Sequence, residues 1–310
     1  MRVLLHAAGR DDALREQAAA LRTAVFVGEQ GVDPAVEADA LDHAPTTVHA
    51  VAVDDERVLA TGRLLDPAPD LAEGRVGRMA VARPARGGGV GLALLRALEE
   101  ASRARGQLGV QLHAQAPAIG FYDRAGYSPV GARFLEQGIE HLLMTRAWLP
   151  GLRPVTDDDA AAVQALIGGC FDTYDGCVLD LADLDAWMLR PSCRRLWVVP
   201  APDGTLEACV GVGGDGSDAR TLTSLYVAAP ARRRGWGSVL VHLAERAGAR
   251  QLWTDTRFLD AHRLYARLGW RDTGERRELH DPSATTEARW VLPAAAAGPA
   301  RGAAPVAGAA

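Results

Sequence analysis

The stretch Arg83-Pro84-Ala85-Arg86-Gly87-Gly88-Gly89-Val90-Gly91 decides the fold, because it joins a predicted strand to a predicted helix through a glycine-rich turn. It contains the pattern Arg-x-x-Gly-x-Gly, with Arg86, Gly89 and Gly91 at the defining positions. The N-terminus of a helix has free N–H groups and a partial positive charge. Glycine lets the backbone close on a bound group, and arginine adds a forked set of donors. The turn therefore predicts a cradle for a diphosphate.

The same motif occurs a second time, as Arg232-Arg233-Arg234-Gly235-Trp236-Gly237, again between a predicted strand and an apolar helix. A further motif follows each turn: Gly120-Phe121-Tyr122-Asp123-Arg124-Ala125-Gly126-Tyr127 in the first half and Arg263-Leu264-Tyr265-Ala266-Arg267-Leu268-Gly269-Trp270 in the second. The motifs recur in the same order at nearly equal spacing, which indicates a duplicated fold.

Two other phosphate-binding motifs fit the turns less well. A Walker P-loop needs Gly-Lys followed by Ser or Thr, and neither turn has these residues. A dinucleotide fingerprint needs a third glycine, which Gly89-Val90-Gly91-Leu92-Ala93-Leu94 lacks. The remaining alternative is an ordinary glycine-rich turn, which two copies with shared flanking motifs disfavour.

The chain is predicted to form two domains and a tail. Its 310 residues exceed the usual size of one core, and Leu149-Pro150-Gly151 interrupts the pattern near the middle. We predict domains at 1–149 and 150–293, and a disordered tail at 294–310, where Ala, Gly and Pro dominate. Strands mixed with helices favour an α/β or α+β fold with a mixed sheet in each domain.

Several expected elements define this arrangement in more detail. The first domain is expected to have a helix over Asp12–Val25. The second is expected to open with a strand over Leu152–Val155 and to contain a helix over 181–189. Five further strands follow there, of which the last lies near Glu287–Val291.

The composition limits the classes of function. The formal net charge of -5 argues against a nucleic-acid partner. No apolar stretch reaches the length of a membrane span, and the first residues lack the apolar run of a signal peptide, so we expect a cytoplasmic protein with no membrane partner. No metal is expected, because the cysteines have neither a CxxC pair nor zinc-finger spacing to histidine; they are Cys170, Cys177, Cys193 and Cys209.

Together these motifs resemble the GNAT superfamily of N-acetyltransferases, in which Arg-x-x-Gly-x-Gly after a Val-Ala strand is the acetyl-CoA signature. The first half is similar in particular to the ElaA-like branch. The stretches that carry this closer resemblance are Val25-Phe26-Val27-Gly28-Glu29-Gln30-Gly31-Val32, Ala60-Thr61-Gly62-Arg63, Gly77-Arg78-Met79-Ala80-Val81, Leu112-His113-Ala114-Gln115 and Phe134-Leu135-Glu136-Gln137-Gly138-Ile139-Glu140-His141.

The resemblance implies two tandem GNAT-like acyl-CoA-binding domains that use acetyl-CoA as cosubstrate. Acetyl-CoA would separate the sheet beside one strand of each half, whose backbone N–H groups would hold the thioester carbonyl and then the oxyanion. The residues expected at the cosubstrate are Met79, Ala80, Val81, Arg86, Gly87, Gly88, Gly89, Val90 and Gly91 in the first half, and Leu225, Tyr226, Val227, Arg232, Arg233, Arg234, Gly235, Trp236 and Gly237 in the second. A primary amine of a small molecule or peptide would attack directly, which fits the absence of a Gly-x-Ser-x-Gly nucleophile motif.

A general acid is expected in each half. The departing CoA thiolate needs a proton, and Tyr122 and Tyr265 match the superfamily position that supplies it. A phenol with an ordinary pKa of about 10 is protonated at pH 7 and suits this role. The alternative for each is a tyrosine that only packs on a helix face.

A general base is also required, because the attacking amine must be neutral. Candidates in the first half are Glu29, His43, His49 and His113, of which His113 lies on the strand beside the expected opening. In the second half Asp255 is expected at a similar strand position, with an ion pair to Arg257 as the alternative. The sequence does not select among these residues.

An acidic segment of the first half is interpreted mainly as a solvated loop, with attraction of a cationic amine as the alternative. Its carboxylates are Asp33, Glu37, Asp39 and Asp42. A second function also stays open, in which one or both halves bind acyl-CoA or a partner without catalysis. A nucleotide hydrolase is disfavoured, because the lysine and the metal-binding carboxylate pattern are missing. The acceptor, the acyl-chain preference and the oligomeric state are not determined by the sequence.

Overall fold

Two seven-stranded mixed sheets make up the protein, as a computed structural model shows. The structure describes residues 1–7, 12–67, 72–178, 194–213 and 220–293. Each sheet contains antiparallel pairs and one parallel pair, and helices lie between the strands along the chain. The predicted α/β fold with a mixed sheet in each half is therefore confirmed.

The first sheet has the strand order β1-β2-β3-β4-β5-β7-β6. Its elements are β1 (Arg2–Ala7), α1 (Asp12–Arg22), a π-helix (Thr23–Glu29), α2 (Pro34–Glu37), a 3-10 helix (Ala40–His43), β2 (Val48–Asp54), β3 (Arg57–Leu65), β4 (Glu73–Val81), α3 (Val90–Ala104), β5 (Gly109–Gln115), α4 (Ile119–Arg124), β6 (Ser128–Glu136) and β7 (Ile139–Ala147).

The helix α3 supplies much of the core of the first sheet. Leu94, Leu95 and Leu98 recur at helical spacing on one face, and all three side chains are completely buried. Six consecutive residues of β2 are also buried, which is typical of a strand covered on both faces. This packing holds the neighbouring strands β3 and β4 in fixed positions.

The second sheet has the corresponding order β13-β14-β12-β11-β10-β9-β8. Its domain contains β8 (Arg153–Pro154), α5 (Ala160–Phe171), β9 (Arg194–Pro200), β10 (Leu206–Gly213), β11 (Arg220–Val227), α6 (Trp236–Arg246), β12 (Ala249–Asp255), α7 (Leu259–Arg267), β13 (Arg271–Glu278) and β14 (Thr286–Val291). Its core includes Val163 and Ile167 of α5 against Val198 and Cys209 of the sheet.

Some element boundaries differ from the prediction. The helix expected over Asp12–Val25 is α-helical only to Arg22 and continues as a π-helix, a rare form that often occurs at functional sites. The opening strand of the second sheet is shorter than expected, at Arg153–Pro154. The strand Arg271–Glu278 was not predicted, because all eight residues are exposed and an edge strand of charged residues has no apolar alternation.

Three predictions concern residues outside the described part of the chain. They are the helix over 181–189, the tail over 294–310 and the state of Cys193. The domain boundaries at 149 and 293 also stay predictions. No helix of the described residues is long and apolar enough to span a bilayer.

Candidate active site

The strands β4 and β5 separate from each other part-way along their length. They pair in parallel only over Glu73–Arg75 and Gly109–Gln111, whereas β4 continues to Val81 and β5 to Gln115. In the described ladder no pair joins the two strands beyond Arg75. A separation of this kind leaves backbone N–H and C=O groups of a central strand open to a ligand.

A β-bulge in β4 accompanies the separation. Arg78 has the positive φ of 52°, and the register with β3 shifts between Thr61 and Arg63. The second sheet repeats this geometry, because Ser224 of β11 also has φ 52° and β11 pairs with β12 only over Arg220–Leu222. Bulges turn a strand and redirect its side chains, and they are common next to active sites.

The glycine-rich turn of the first half adopts the backbone that its sequence predicts. Gly87 and Gly89 have φ of 79° and 80°, a region that disfavours other residues, and Gly89 is the N-cap of α3. No side chain caps this helix, so its first N–H groups have no side-chain acceptor. An added Cβ at Gly89 would meet no atom within 4 Å, so the space in front of the turn is open.

The turn of the second half is similar but not identical. Gly235 has φ 81° and directly precedes α6, which starts at Trp236. The position of Gly87 is taken by Arg233, whose φ of 66° is uncommon for a residue with a side chain. Each turn therefore contains two residues with positive φ. In the second turn one of them is Arg233, whose side chain makes this backbone conformation less favourable by about 1–2 kcal/mol.

The guanidinium of Arg86 is hydrogen bonded to two other residues. Its Nε donates to the carbonyl of Val81 at 3.0 Å, and its two terminal nitrogens donate to both carboxylate oxygens of Glu29 at 2.8 and 3.0 Å. The hydrogen bond from Arg86 holds the pKa of the Glu29 carboxyl below its usual range. Glu29 ends the π-helix, so this ion pair links the π-helix to the glycine-rich turn.

His113 forms a dyad with Glu136. Its Nδ1 lies 2.7 Å from Glu136 Oε2, and this short contact makes Nδ1–H the donor and leaves the lone pair on Nε2. Arg75 lies 3.2 Å from the same nitrogen. Burial raises the pKa of the Glu136 carboxyl and the hydrogen bond from His113 lowers it, with a net shift below the usual range. The carboxylate therefore orients the imidazole.

Tyr122 lies on α4 and is almost fully buried. Its ring packs edge-on against Phe121 and Tyr127, with centroids 4.9 and 5.7 Å away. Burial raises the pKa of its phenol to about 12, so the hydroxyl stays protonated at neutral pH. Such a group can donate a proton to a leaving group but does not act as a base at pH 7.

One pocket brings these groups together. Residues on its walls include Met79 of the bulged strand, Tyr122, His113, Glu136, Phe26 and Gln30. The separated edge of β4, the dyad and the buried phenol therefore meet in one cavity. The described part of the chain has no cluster of His, Cys, Asp and Glu that could hold a metal ion.

Comparisons with known proteins give the same assignment for both halves. Residues 11–147 match a family model described as an acetyltransferase (GNAT) domain, and residues 192–272 match a second model of the same description. An N-acetyltransferase of Bacillus subtilis, YjcF, is 35% identical over 129 residues, which are 41% of this chain and 87% of that protein. The B. subtilis protein YyaT is 31% identical over 42% of this chain and 86% of its own length. The chain belongs to the GNAT acetyltransferase family.

Two solved structures are similar to the chain over about half its length. A crystal structure of an acyl-CoA N-acyltransferase from Pseudomonas aeruginosa is 36% identical, with a TM-score of 0.43, and covers 47% of this chain and 99% of its own. ElaA of Escherichia coli is 29% identical, with a TM-score of 0.43, and covers 47% of this chain and 98% of its own. The GNAT domains make the protein an N-acetyltransferase of the acyl-CoA-dependent type.

The acidic segment of the first GNAT domain is not the solvated loop that its sequence indicates. Arg22 donates to Glu37 at 2.5 Å and to both oxygens of Asp42 at 2.9 Å, and Arg63 donates to Asp42 at 2.6 Å. Arg63 also pairs with Asp39 through two contacts of 2.6 and 2.7 Å. The expectation was wrong for Glu37, Asp39 and Asp42, because these arginines are buried and pair with the three carboxylates. Asp33 is exposed, as expected of a solvated loop, and Glu37 is one of the residues that line the pocket.

The other two histidines proposed as the base in the first half lie outside the pocket lining. His43 is exposed and lies 3.2 Å from Arg15 through its Nδ1. His49 is buried, with Nε2 2.9 Å from the carbonyl of Asp42. Of the histidines proposed as the base, His113 alone lines the pocket described above.

Sequence reasoning missed Glu136 as the partner of His113 and Arg75 as its neighbour, 4.0 Å from Glu136 Oε1. A usable signal was Gln137-Gly138, a two-residue turn in which both residues have positive φ, of 52° and 74°. This turn fixes the register of the β6–β7 hairpin, in which Glu136 faces Ile139. The carboxylate of Glu136 also has to reach His113 on β5, which depends on the register between strands that are distant in sequence. The local sequence does not contain that register.

Tyr265 and Tyr226 of the second GNAT domain are packed into aromatic surroundings. Tyr265 lies 6.2 and 6.1 Å from the rings of Trp270 and Trp290, and burial raises the pKa of its phenol. Tyr226 lies 6.1 Å from Phe171, and burial raises its pKa as well. Both phenols therefore stay protonated at neutral pH, as the acid role requires of Tyr265.

Strand register aligns β12 with β5. In the first sheet, Arg75 lies three residues before the bulge residue Arg78 and pairs with Gln111. In the second sheet, Thr221 lies three residues before the bulge residue Ser224 and pairs with Gln251. Gln251 is therefore the counterpart of Gln111. Two positions further along each strand, Trp253 is the counterpart of His113.

This register corrects the expected position of Asp255. It corresponds to Gln115 and not to His113, and its carboxylate accepts from Arg257 Nη2 at 2.5 Å and from Arg257 Nε at 3.0 Å. The structural ion pair, which was the alternative, is therefore present. At the position of the dyad, Arg277 lies over the ring of Trp253 at 4.4 Å.

Proposed function

We propose that the first domain transfers the acetyl group of acetyl-CoA to a primary amine by direct attack. The observation that carries the proposal is the single pocket in which the separated strand β4, the His113–Glu136 dyad and Tyr122 meet. The acceptor would be an amine of a small molecule or a peptide.

The cosubstrate would lie across β4 and the turn that follows. The first N–H groups of α3, with Arg86, Gly87, Gly88, Gly89, Val90 and Gly91, would hold the diphosphate. The strand residues Met79, Ala80 and Val81 would lie beside the pantetheine arm, where backbone N–H groups would hold the thioester oxygen.

The chemistry needs two proton transfers. The amine nitrogen attacks the thioester carbon while His113 Nε2 accepts a proton from it, and Glu136 stabilises the imidazolium. The tetrahedral oxyanion is held by backbone N–H groups of β4. The C–S bond then breaks, and Tyr122 protonates the CoA thiolate, which gives an amide and free CoA. His113 and Tyr122 recover their starting states through solvent.

His113→Gln tests this mechanism. The variant should bind acetyl-CoA normally but lose about 100-fold in kcat/KM. The matched control is His43→Gln, because His43 is exposed and outside the pocket, and its activity should equal that of the wild type. Unchanged activity of His113→Gln over the whole pH range would exclude the histidine as the base.

The second domain supports a different candidate, an acyl-CoA-binding module without amine chemistry. Its bulged strand and glycine-rich turn resemble those of the first domain, so Leu225–Val227 and Arg232–Gly237 are proposed to bind cosubstrate. Trp253, however, takes the place of the histidine, and Asp255 is paired with Arg257. Tyr265→Phe tests this candidate: turnover should stay unchanged, and a large loss would mean that the second domain catalyses.

A further inference from the structure

We infer that Glu29 and Arg86 form a clasp that acyl-CoA opens. Binding of the cosubstrate thereby releases the part of the pocket wall that carries Phe26 and Gln30, which faces the acceptor. The clasp is defined as the bidentate ion pair of these two residues. The inference rests on the proposed binding of acyl-CoA to the first glycine-rich turn. It assigns Glu29 a positioning role instead of the role of general base.

The clasp already uses the arginine that the diphosphate would need. Both terminal nitrogens of Arg86 donate to Glu29, and its Nε donates to the carbonyl of Val81. A carboxylate and a phosphate oxygen pair offer the same two-point geometry to a guanidinium. Glu29 and the diphosphate therefore compete for one forked donor.

The exposure of the clasp makes the exchange easy. The side chains of Arg86 and Glu29 are 40% and 34% exposed, and solvent screening weakens ion pairs at such sites. A diphosphate carries more charge than one carboxylate and also gains the N–H groups of α3. It is therefore expected to displace Glu29 from Arg86.

The released carboxylate belongs to a segment that forms the pocket wall. The π-helix Thr23–Glu29 carries Phe26, and Gln30 follows it directly; both line the pocket. Gln30 is hydrogen bonded to Gln115 at the end of β5 at 2.8 Å. Before binding, this segment is thus tied to the β4 side through Glu29 and to the β5 side through Gln30.

Opening of the clasp removes one of these two ties. The wall that carries Phe26 and Gln30 then adjusts to an acceptor only after the cosubstrate is bound, which predicts positive coupling between the two ligands. Without the clasp, the wall is free in both states and the coupling disappears. The released Glu29 carboxylate also adds a negative charge near the mouth of the pocket, which favours a cationic amine.

The test is Glu29→Gln, with CoA as the titrant in a calorimeter. Both this variant and its parent carry Gly235→Glu, which closes the second turn. Loss of the competing carboxylate should lower the Kd for CoA by about 2–5-fold. The control Glu140→Gln breaks the ion pair with Arg133, of the same 2.8 Å length, and should leave the Kd unchanged.

A truncated donor separates the diphosphate from the rest of the cosubstrate. S-acetylpantetheine lacks the diphosphate, so Glu29→Gln and the parent should have the same KM for this donor. In the otherwise unmodified chain, the dependence of acceptor KM on acetyl-CoA concentration should weaken in Glu29→Gln. An unchanged or higher Kd for CoA in Glu29→Gln would overturn the clasp, whereas failure of the parent to bind CoA would overturn the proposed function.

Discussion

Tyr122 and Tyr265 occupy equivalent motif positions, yet their surroundings differ. Tyr122 lines the pocket that contains the dyad, whereas Tyr265 packs among Trp270 and Trp290. Burial raises the pKa of both phenols further above neutral pH, so protonation does not distinguish them. The proposed base distinguishes them, because His113 accompanies Tyr122 and Trp253 stands at that position in the second sheet.

Tyr122→Phe should lower kcat by about 100-fold with little change in the KM for acetyl-CoA, because the lost hydroxyl acts only on the leaving thiolate. The raised pKa of about 12 also sets the sign of the pH effect: the acid is lost only when pH rises through this value. Steady-state kinetics from pH 6 to 10 should therefore show no alkaline loss from this group in the wild type. A loss centred near pH 10 would mean that the phenol is not buried as described.

Gly89→Glu should abolish acetyl-CoA binding at the first turn. A side chain at φ 80° strains the backbone by about 1–2 kcal/mol, and the new carboxylate enters the open space where the diphosphate would lie. Gly131→Glu is the matched control, because Gly131 also has positive φ with no atom near its Cβ but lies on β6. Calorimetry decides the matter: equal loss in both variants would indicate general destabilisation and not a cradle.

At the scale of elements, local patterns predicted most of the helices and most of the strands along the chain, whereas the register between distant strands was not predicted. The turn Arg83–Gly91 was correctly placed between a strand and a helix because its glycines and arginine act locally. The β4 bulge at Arg78 and the separation from β5 depend on hydrogen bonds between distant segments, which a single sequence does not encode in any window. The edge strand Arg271–Glu278 was missed for lack of a buried face.

The acidic segment is the element whose interpretation changed most. Arg22 pairs with Glu37 and Asp42, and Arg63 pairs with Asp39 and Asp42, so three of the four carboxylates have an arginine partner. Asp42 and Arg22 are both buried, and each neutralises the charge of the other. Sequence reasoning interpreted the segment mainly as a solvated loop. The opposite charges came from Arg22 and Arg63, which lie on α1 and β3 and are not adjacent in sequence.

Asp42→Asn should lower the free energy of unfolding by about 3–5 kcal/mol at pH 7, because it leaves Arg22 and Arg63 without their shared carboxylate. Burial raises the pKa of the Asp42 carboxyl, whereas the hydrogen bonds and charges of the two arginines lower it. The arginines outweigh burial, so the net pKa lies well below the usual range. The stabilisation is thus present above the unfolded pKa and is lost as pH falls through the folded pKa. Urea unfolding at pH 7 and at lower pH measures it.

The control for this prediction lies in the same segment. Asp33→Asn removes the same charge, but Asp33 is exposed and an asparagine keeps the cap that its side chain provides to Ala35. Its free energy of unfolding should stay within about 0.5 kcal/mol of the wild type. If both variants lose the same stability, the effect comes from net charge and not from the buried network.

For the whole molecule, duplication has kept the cosubstrate geometry in both domains and the proposed acid–base pair in one. The bulge residues Arg78 and Ser224 have the same φ of 52°, and each is followed by a glycine-rich turn and a helix. The dyad differs because it requires two strands, β5 and β6, to supply compatible side chains, and substitution of one partner removes it. Binding and catalysis are therefore expected to separate between the domains.

Acetyl-CoA should bind with a stoichiometry of two per chain, because both turns present a left-handed glycine at the start of a helix. Gly89→Glu and Gly235→Glu should each reduce the stoichiometry to one. Only Gly89→Glu should abolish turnover, since His113 and Tyr122 lie beside the first turn's strand. Loss of turnover in Gly235→Glu with one site still occupied would instead place the chemistry in the second domain. A wild-type stoichiometry of one would mean that Arg233, with its positive φ, has closed the second turn to the diphosphate.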